Sequence, residues 1–570
     1  MKKTLYLTVA LGMMLGFASC DLNYFPSDEL NSNVLLSSEA GAEYIIDGCY
    51  AMLKEEYEYV EYASGNSYVR HYFMDAEYPS DNICLANQSS DPLSKACWYK
   101  MTDHLKNIET PWWVAYKVVY SANTVIENFK EGESAAGDQL LGEAYFLRAM
   151  MHFHLVTLFA KQYTIDSSAP GIPLRLSTNT ESNTTRATVA EVYNQVVLDL
   201  RKAAELMNTP RHSGNPGYAS KNSALGLLSR VYLYMDKNQE VLDVIAEMGN
   251  PVSFLDADFP NYFANALTSK ETLFAIVHTV SEDRGQSSIG SMYNADGGGW
   301  GEVYPSAPLL NLYNRYPEDI RLSYIIPQEE TDTRLPLYGK PAVFFPFKSE
   351  NDFRSNLYAE LKTDAEGKYC VIDGATIRIN EVKVNGKNEE DPSGEYTLYY
   401  VNYGGEKVMA QLFDKLPMCF TSSTFPETFI TKFGYQDGHA HLSSPVFLRG
   451  GEIVLNRAEA YAKLGKDAEA LADVNAIRTR AGISAEGMFE LGTKMHGYTD
   501  VLDVVLDERR MELAFEGHRR NDVYRNKRDM DRRYAGTQPW EVIPYTADKI
   551  QYPIPFNERS VSHIDQNPGY

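Results

Sequence analysis

The sequence predicts a mostly α-helical protein, a tetratricopeptide-like helical-repeat scaffold with long irregular loop insertions and a few short strands. Three observations carry that prediction: apolar residues recur at helical spacing in eight segments, a capped two-helix turn joins two of them, and an Arg-centred pattern repeats. The helical segments are 38–53, 111–129, 138–160, 189–207, 220–235, 446–464, 467–481 and 498–515. In NRAEAYAKLGKDAEALADVNAIRTRAG, Gly465 closes one helix, Asp467 opens the next and Gly482 stops it, which makes a helical hairpin. FLRAMMHFHL around Arg148, LSRVYLYM around Arg230 and LNRAEAYAKL around Arg457 each set an arginine before a small or β-branched residue, with an aromatic farther on. Small residues where helices cross and an aromatic in the groove are the packing logic of tetratricopeptide-type pairs.

Between the helices the texture changes. From about 250 to 445 the chain is rich in Gly, Pro, Asn, Tyr and Phe. TLFAIVHTV near Leu273 reads as a strand, and TIRINEVKVNGKN alternates around an Asn385-Gly386 hairpin turn. A second loop-rich stretch covers about 55–109. The expected layout is one domain, residues 20–570, with its scaffold at about 36–250 and 446–525 and insertions at about 55–109 and 250–445. Long structured loops on a rigid frame are where function is expected.

Residues 1–19 read as an export signal. Lys2 and Lys3 precede an apolar run, Leu5 to Phe17, that is too short to span a bilayer as a mature helix. Ala18 and Ser19 then lead into Cys20, an arrangement that resembles the lipobox of bacterial lipoproteins. The resemblance implies lipid attachment (palmitate among the acyl chains) at Cys20 and membrane anchoring without a spanning helix. Asp21 retains lipoproteins at the inner membrane in some bacteria, so this residue alone leaves the membrane open. A net charge of -24 with no long Lys/Arg run argues against nucleic acid as a partner. Cys49, Cys84, Cys97, Cys370 and Cys419 form no C-x-x-C pair, so no disulfide framework or zinc site is indicated, and a single Cys84–Cys97 bridge stays open.

Enzyme motifs are scarce: there is no H-E-x-x-H, G-x-S-x-G, Walker loop or Rossmann fingerprint. DGGGWGEVYPS is Gly-rich but lacks the Lys-Ser/Thr of a phosphate loop. His152 and His154 are two apart on a helix and point to different faces, while His439 and His441 lie in a loop. No catalytic residue, cofactor or metal is therefore expected. Aromatics are the better signal, with 40 tyrosines and an aromatic content of 12%. A sugar ring is held by a flat aromatic platform and a few polar groups. The candidates are Tyr68, Tyr72, Trp98 and Tyr99 in the first loop region and Tyr293, Trp300 and Tyr304 in the second, with Arg70, Asp81 and Asn82 as hydrogen-bonding partners. Three glycines before Trp300 clear space and favour its exposure. In DERRMELAFEGHRRNDVYR, Glu508, Glu512 and Glu516 share a helical face with Arg509 and Arg510 beside them, and Gly517 ends the helix. So dense a sign-balanced set, with His518 and Arg519 following, reads as an ion-pair network between helices rather than a catalytic site.

Four features together resemble the SusD/RagB family of surface lipoproteins from the Bacteroidetes: the lipobox cysteine, GEAYFLRAMMHFHLVTLFA, DERRMELAFEGHRRNDVYR and the terminal YPIPFNERSVSHIDQNPGY. The resemblance spans nearly the whole chain, departing where Arg520, Asn521 and Asp522 replace the family's usual aromatic and acid. It implies a protein on the outer face of the outer membrane that pairs with a SusC-like TonB-dependent transporter as a lid over its barrel. Such a protein binds oligosaccharide or polysaccharide without chemistry and delivers it inward, using loop aromatics in the regions corresponding to Tyr68–Tyr99 and Tyr293–Tyr304. RagB-like members handle peptides, which makes peptide capture the alternative. A surface glycoside hydrolase and a ligand-free helical scaffold are the readings from other classes.

Overall fold

The computed structural model describes residues 38–56, 67–85, 94–181, 184–327, 337, 339–348, 354–385, 395–416 and 428–570. The export signal, Cys20 and Cys419 lie outside these residues. Helices build the frame: Glu39–Lys54, Lys106–Asn128, Ala135–Phe159, Val189–Leu206, Lys221–Tyr234, Gly450–Lys463, Asp467–Arg480 and Val501–Glu512 answer the eight periodic segments. Ser38, Ser134, Thr188 and Ser220 cap four of them by accepting backbone N–H bonds in the first turn. Gly465 and Gly482 take φ of 70° and 76° after the hairpin helices, the left-handed cap that glycine adopts without strain. No helix among the described residues is long and apolar enough to cross a membrane.

The repeated arginine has a common task. Arg148 forks Asp199 at 2.8 and 2.7 Å, Arg230 forks Glu452 at 2.6 and 2.6 Å, and Arg457 forks Asp473 at 2.8 and 2.7 Å. Each pair ties one scaffold helix to another, so the sequence repeat is a repeat of charge-assisted bidentate fastening. Around these pairs the main core forms, with Leu147, Val196, Leu228 and Ile453 fully buried in it.

Several details differ from the sequence reading. Val446–Arg449 is a strand, not the start of a helix: it pairs with Thr272–Ala275, the core of TLFAIVHTV. The stretch 55–109 contains a buried helix, Tyr68–Glu77, and a short one, Ser94–Cys97. Asn238–Met248, Ala307–Asn314, Arg519–Arg525 and Phe556–Ser562 are further helices that periodicity did not reveal. Val501–Glu512 ends before Gly517, because Phe515 (φ 71°) already turns the chain into the left-handed region.

The larger insertion is mostly sheet. Asn380–Asn385, Glu395–Tyr403, Glu406–Phe413, Ala342–Lys348 and Arg354–Glu360 form a five-stranded antiparallel sheet in that order. Asn385 pairs with Glu395, and Gly386 of the expected turn lies outside the described residues. The tight turns fall at Asp373-Gly374 (φ 50° and 78°) and Gly404-Gly405 (φ 62° and 82°), the positive-φ pairs that two-residue hairpins require. One face, with Val343, Phe345 and Val401, packs on Cys370 and Ile379 of the small sheet 362–378 and its flank. On the other face, Phe344, Tyr358 and Phe413 pack against Tyr304, Phe429 and Tyr534 of the body. Cys49, Cys84, Cys97 and Cys370 are free and buried, which closes the question of a Cys84–Cys97 bridge.

Candidate functional site

The signature run Asp507–Arg525 sits inside the protein. Arg449 is its hub, contacting Glu271 at 2.8 Å, Glu512 at 2.6 Å and Glu516 at 2.7 Å. Arg480 also pairs with Glu512, Lys432 with Glu516 at 2.8 Å, and Arg321 with Asp319, Glu508 and Glu512 at 2.6, 2.7 and 3.3 Å. Arg478 closes the set on Glu508 at 2.8 Å, giving five acids (Glu271, Asp319, Glu508, Glu512, Glu516) and five bases (Arg321, Lys432, Arg449, Arg478, Arg480). Burial alone would raise the Glu512 carboxyl. Arg480, Arg449 and Arg321 more than offset it and hold that carboxyl well below the usual range. Glu516 is held down likewise by Arg449 and Lys432 against its burial. Arg509 turns elsewhere, to Asp522 at 3.2 Å and Asn456 at 2.8 Å.

His518 does not join the ion pairs: among the described residues it has none, and burial, more than the opposing Glu452, drives its imidazole to the neutral form. It lines an internal cavity of about 10 Å³, room for a single water.

Arg510 and Arg519 reach toward the loops. Arg519 forks the Asp81 carboxylate at 2.7 and 2.9 Å. Arg510 binds Asn82 Oδ1 at 2.8 Å and the Asp81 carbonyl at 2.7 Å. Burial would raise the Asp81 carboxyl, but these two guanidinium groups hold it well below its ordinary value. From here the chain connects to the second loop region. Ser306 donates its N–H to Asn82 O at 2.8 Å, and Ile83–Leu85 pairs with Val303–Pro305, just beyond Trp300.

Nine of the ten residues named for ligand contact are therefore buried. Tyr68 bonds His154 Nδ1 at 2.7 Å and stacks on Tyr72, which is itself buried. Arg70 donates to Met292 Sδ at 3.5 Å, and Trp98 packs into the main core. Tyr99 donates to Pro79 O at 2.7 Å, Tyr293 stacks on Phe433, and Tyr304 donates to Gly301 O at 2.5 Å. With Asp81 and Asn82 bound as above, these side chains fix the loops from within and present no ring face to solvent. The reason is packing: loops this long need their own aromatic core to be ordered, and composition does not separate that core from a surface platform.

Trp300 differs, being 54% exposed. Its backbone N–H bonds Ser291 O at 2.7 Å and its indole N–H bonds Gln286 O at 3.1 Å, so the ring is held by its polar edge with much of its surface open. Of the preceding glycines, Gly298 faces open space and Gly299 does not. Gly299 lies so close to His441 that a Cβ there would come within 2.5 Å of Nε2, so it permits close packing against that histidine. Tyr435, missed from sequence, is another open aromatic, 37% exposed, as Tyr44, Tyr120 and Phe556 are elsewhere on the surface. Its hydroxyl donates to Asp296 Oδ2 at 3.0 Å and accepts from Asn294 Nδ2 at 3.1 Å. Tyr435 and Asp437 hold φ of 63° and 51°, an uncommon left-handed pair of non-glycine residues of the kind that clusters at binding loops. A cleft of about 30 Å³ lies alongside, lined in part by Arg70, His278, Arg284 and His441. Neither of these two cavities admits a sugar ring.

Among the described residues, no group of three or more His, Cys, Asp or Glu is placed to hold a metal ion. His439 instead approaches Asp283 at 3.5 Å, while His441 turns inward.

Residues 27–233 match a family model described as "Starch-binding associating with outer membrane", and residues 270–570 match the model of the SusD family. Two SusD-like proteins of Formosa agariphila are 23% and 22% identical, aligned over 83% and 99% of this chain and 82% and 97% of theirs. A SusD superfamily protein of Bacteroides thetaiotaomicron shares the fold with a TM-score of 0.66 at 22% identity, covering 93% of this chain and 100% of that one. A SusD-like carbohydrate binding protein of Bacteroides vulgatus gives 0.60 at 16% identity, covering 92% and 96%.

Proposed function

Because the chain belongs to the SusD family, we propose that it is a non-catalytic binding protein for oligosaccharide or polysaccharide, held at the outer membrane. The carrying observation is the Trp300 platform. Its ring is half exposed and fixed through its N–H to Gln286, with Tyr435 fixed nearby through its hydroxyl. Immobilised rings lose little entropy on stacking against the C–H face of a sugar, and their already satisfied polar edges leave the flat faces as the contact. The family model's description as starch-binding and outer-membrane-associated and the carbohydrate-binding relative of the same fold support this reading. An open surface whose neighbouring cleft is smaller than a sugar ring suits a stretch of a longer glycan better than a single monosaccharide.

The finer parts of the proposal are lipid anchoring at Cys20, exposure on the cell exterior and delivery to a SusC-like TonB-dependent transporter. Retardation of the purified chain in native gels containing polysaccharide, lost in Trp300→Ala, tests the binding. Retention of peptides with no retardation by any of a broad polysaccharide panel would replace it with peptide capture, and release of reducing sugar would replace it with hydrolysis. Cys20→Ala is expected to release the protein from membranes, and co-purification of a barrel transporter tests the partner.

A further inference from the structure

The inference here rests on the glycan-binding reading and names the chemistry of the ligand. The cleft beside Trp300 shares a wall with the platform: Gln286, which takes the Trp300 indole N–H, follows Arg284 by two residues, and the His441 ring lies against Gly297 and Gly299. Its lining includes Arg70, Arg284, His278 and His441, and its one acid among the described residues is Glu282. That carboxylate is already engaged, by Lys54 at 2.6 Å, the Thr279 N–H at 2.9 Å and the Thr279 hydroxyl at 3.0 Å. On a chain of net charge -24, the Arg284 guanidinium brings a positive charge to this cleft.

Two independent observations point to a ligand group. His441 is only 5% exposed, and its Nε2 has no hydrogen-bond partner among the described residues, a costly state for a polar atom. Arg284 is exposed at the cleft, and its guanidinium makes no hydrogen bond or ion pair among the described residues. The volume of about 30 Å³ holds about two or three waters, which excludes a ring but suits the oxygens of one acidic group. A neutral hydroxyl gains little from a guanidinium, whereas a carboxylate or sulfate forms charge-assisted hydrogen bonds with it. We propose that the cleft receives an acidic substituent, carboxylate or sulfate, of a glycan whose ring stacks on Trp300, with Arg284 supplying the charge and His441 Nε2–H a hydrogen bond.

The test is a glycan array of uronic-acid, sulfated and neutral oligosaccharides, followed by calorimetric titration of the best acidic ligand and of its carboxyl-reduced or desulfated counterpart. The uronate and sulfate arms separate the two sources of acid. The acidic ligand is expected to bind more tightly than its neutralised counterpart. Arg284→Gln, at an exposed position, is expected to weaken the acidic ligand about tenfold and leave the counterpart unchanged, while Trp300→Ala weakens both. Binding confined to neutral glycans, or acidic binding undiminished in Arg284→Gln, overturns the proposal and leaves the glycan-binding reading standing. Binding of peptides and of no glycan overturns both.

Discussion

Replacing Arg449 with methionine tests whether the signature run fastens helices or does something else. Its guanidinium is buried and meets Glu271, Glu512 and Glu516, and it also donates to the Glu512 carbonyl at 2.7 Å. Methionine fills much of the volume but leaves five acids against four bases in a buried cluster, with the Glu512 carbonyl left to Lys432 Nζ at 3.1 Å as its charged donor. Breaking one side of a buried pair costs about 3–5 kcal/mol, because the partner charge is left without compensation. Urea denaturation at pH 7, with the slope unchanged from the wild type, reads that loss as a shift in midpoint. The pH dependence carries a further signature. In the wild type, the Glu512 and Glu516 carboxyls sit below their unfolded values, so they contribute stability above the unfolded pKa that is lost as pH falls through the folded one. In the variant, one acid in excess over the remaining four cations pushes the cluster's carboxyls upward and favours uptake of a proton, so the deficit should shrink as pH falls toward about 5. A loss below about 1 kcal/mol, or a deficit that widens toward acid, would refute the reasoning. Lost glycan retention at unchanged stability would instead make the network part of the binding site.

Three further outcomes follow from the same geometry. Gly299→Ala places a methyl against Asn294 O and His441, so it should cost about 1–3 kcal/mol in thermal or urea denaturation and weaken glycan retention by moving Trp300. Burial pushes the Glu77 carboxyl up from 4.5 to about 7, with bonds from Asn82, Gly517 and Ser80 pulling the other way. This acid's contribution is full below its unfolded value and lost as pH rises through about 7, so melting temperature should fall across that range and the fall should flatten in Glu77→Gln. Asp81→Asn should weaken glycan retention more than Asp473→Asn at matched stability loss, because only Asp81 holds the strand that pairs beside Trp300.

Periodicity reads well where a helix has one solvent face and one core face, which is why the eight frame helices were legible. It misses Tyr68–Glu77, all of whose residues are buried, and Ala307–Asn314, which is one short amphipathic stretch among turns. Asp373-Gly374 and Gly404-Gly405 were readable hairpin signals, and they lead to the sheet that the Asn385-Gly386 reading only touched. Trp300 could be picked out by its setting. Tyr435 could not, because nothing local distinguishes its Gly-Tyr-Gln context from that of the buried tyrosines.

The sequence by itself determined the helical frame, the repeated arginine and the family, since each is written in short-range pattern and residue identity. Tertiary structure alone decided which aromatics face solvent and which acids meet which arginines. Exposure of a loop side chain depends on elements far away in the chain. Phe433 closes over Tyr293, and residues from the sheet cover Tyr304. Likewise Arg449 and Glu512 share a buried cluster only because a strand and a helix 63 residues apart are brought together. The run DERRMELAFEGHRRNDVYR could name its partners' charge in advance, but only folding supplied the partners.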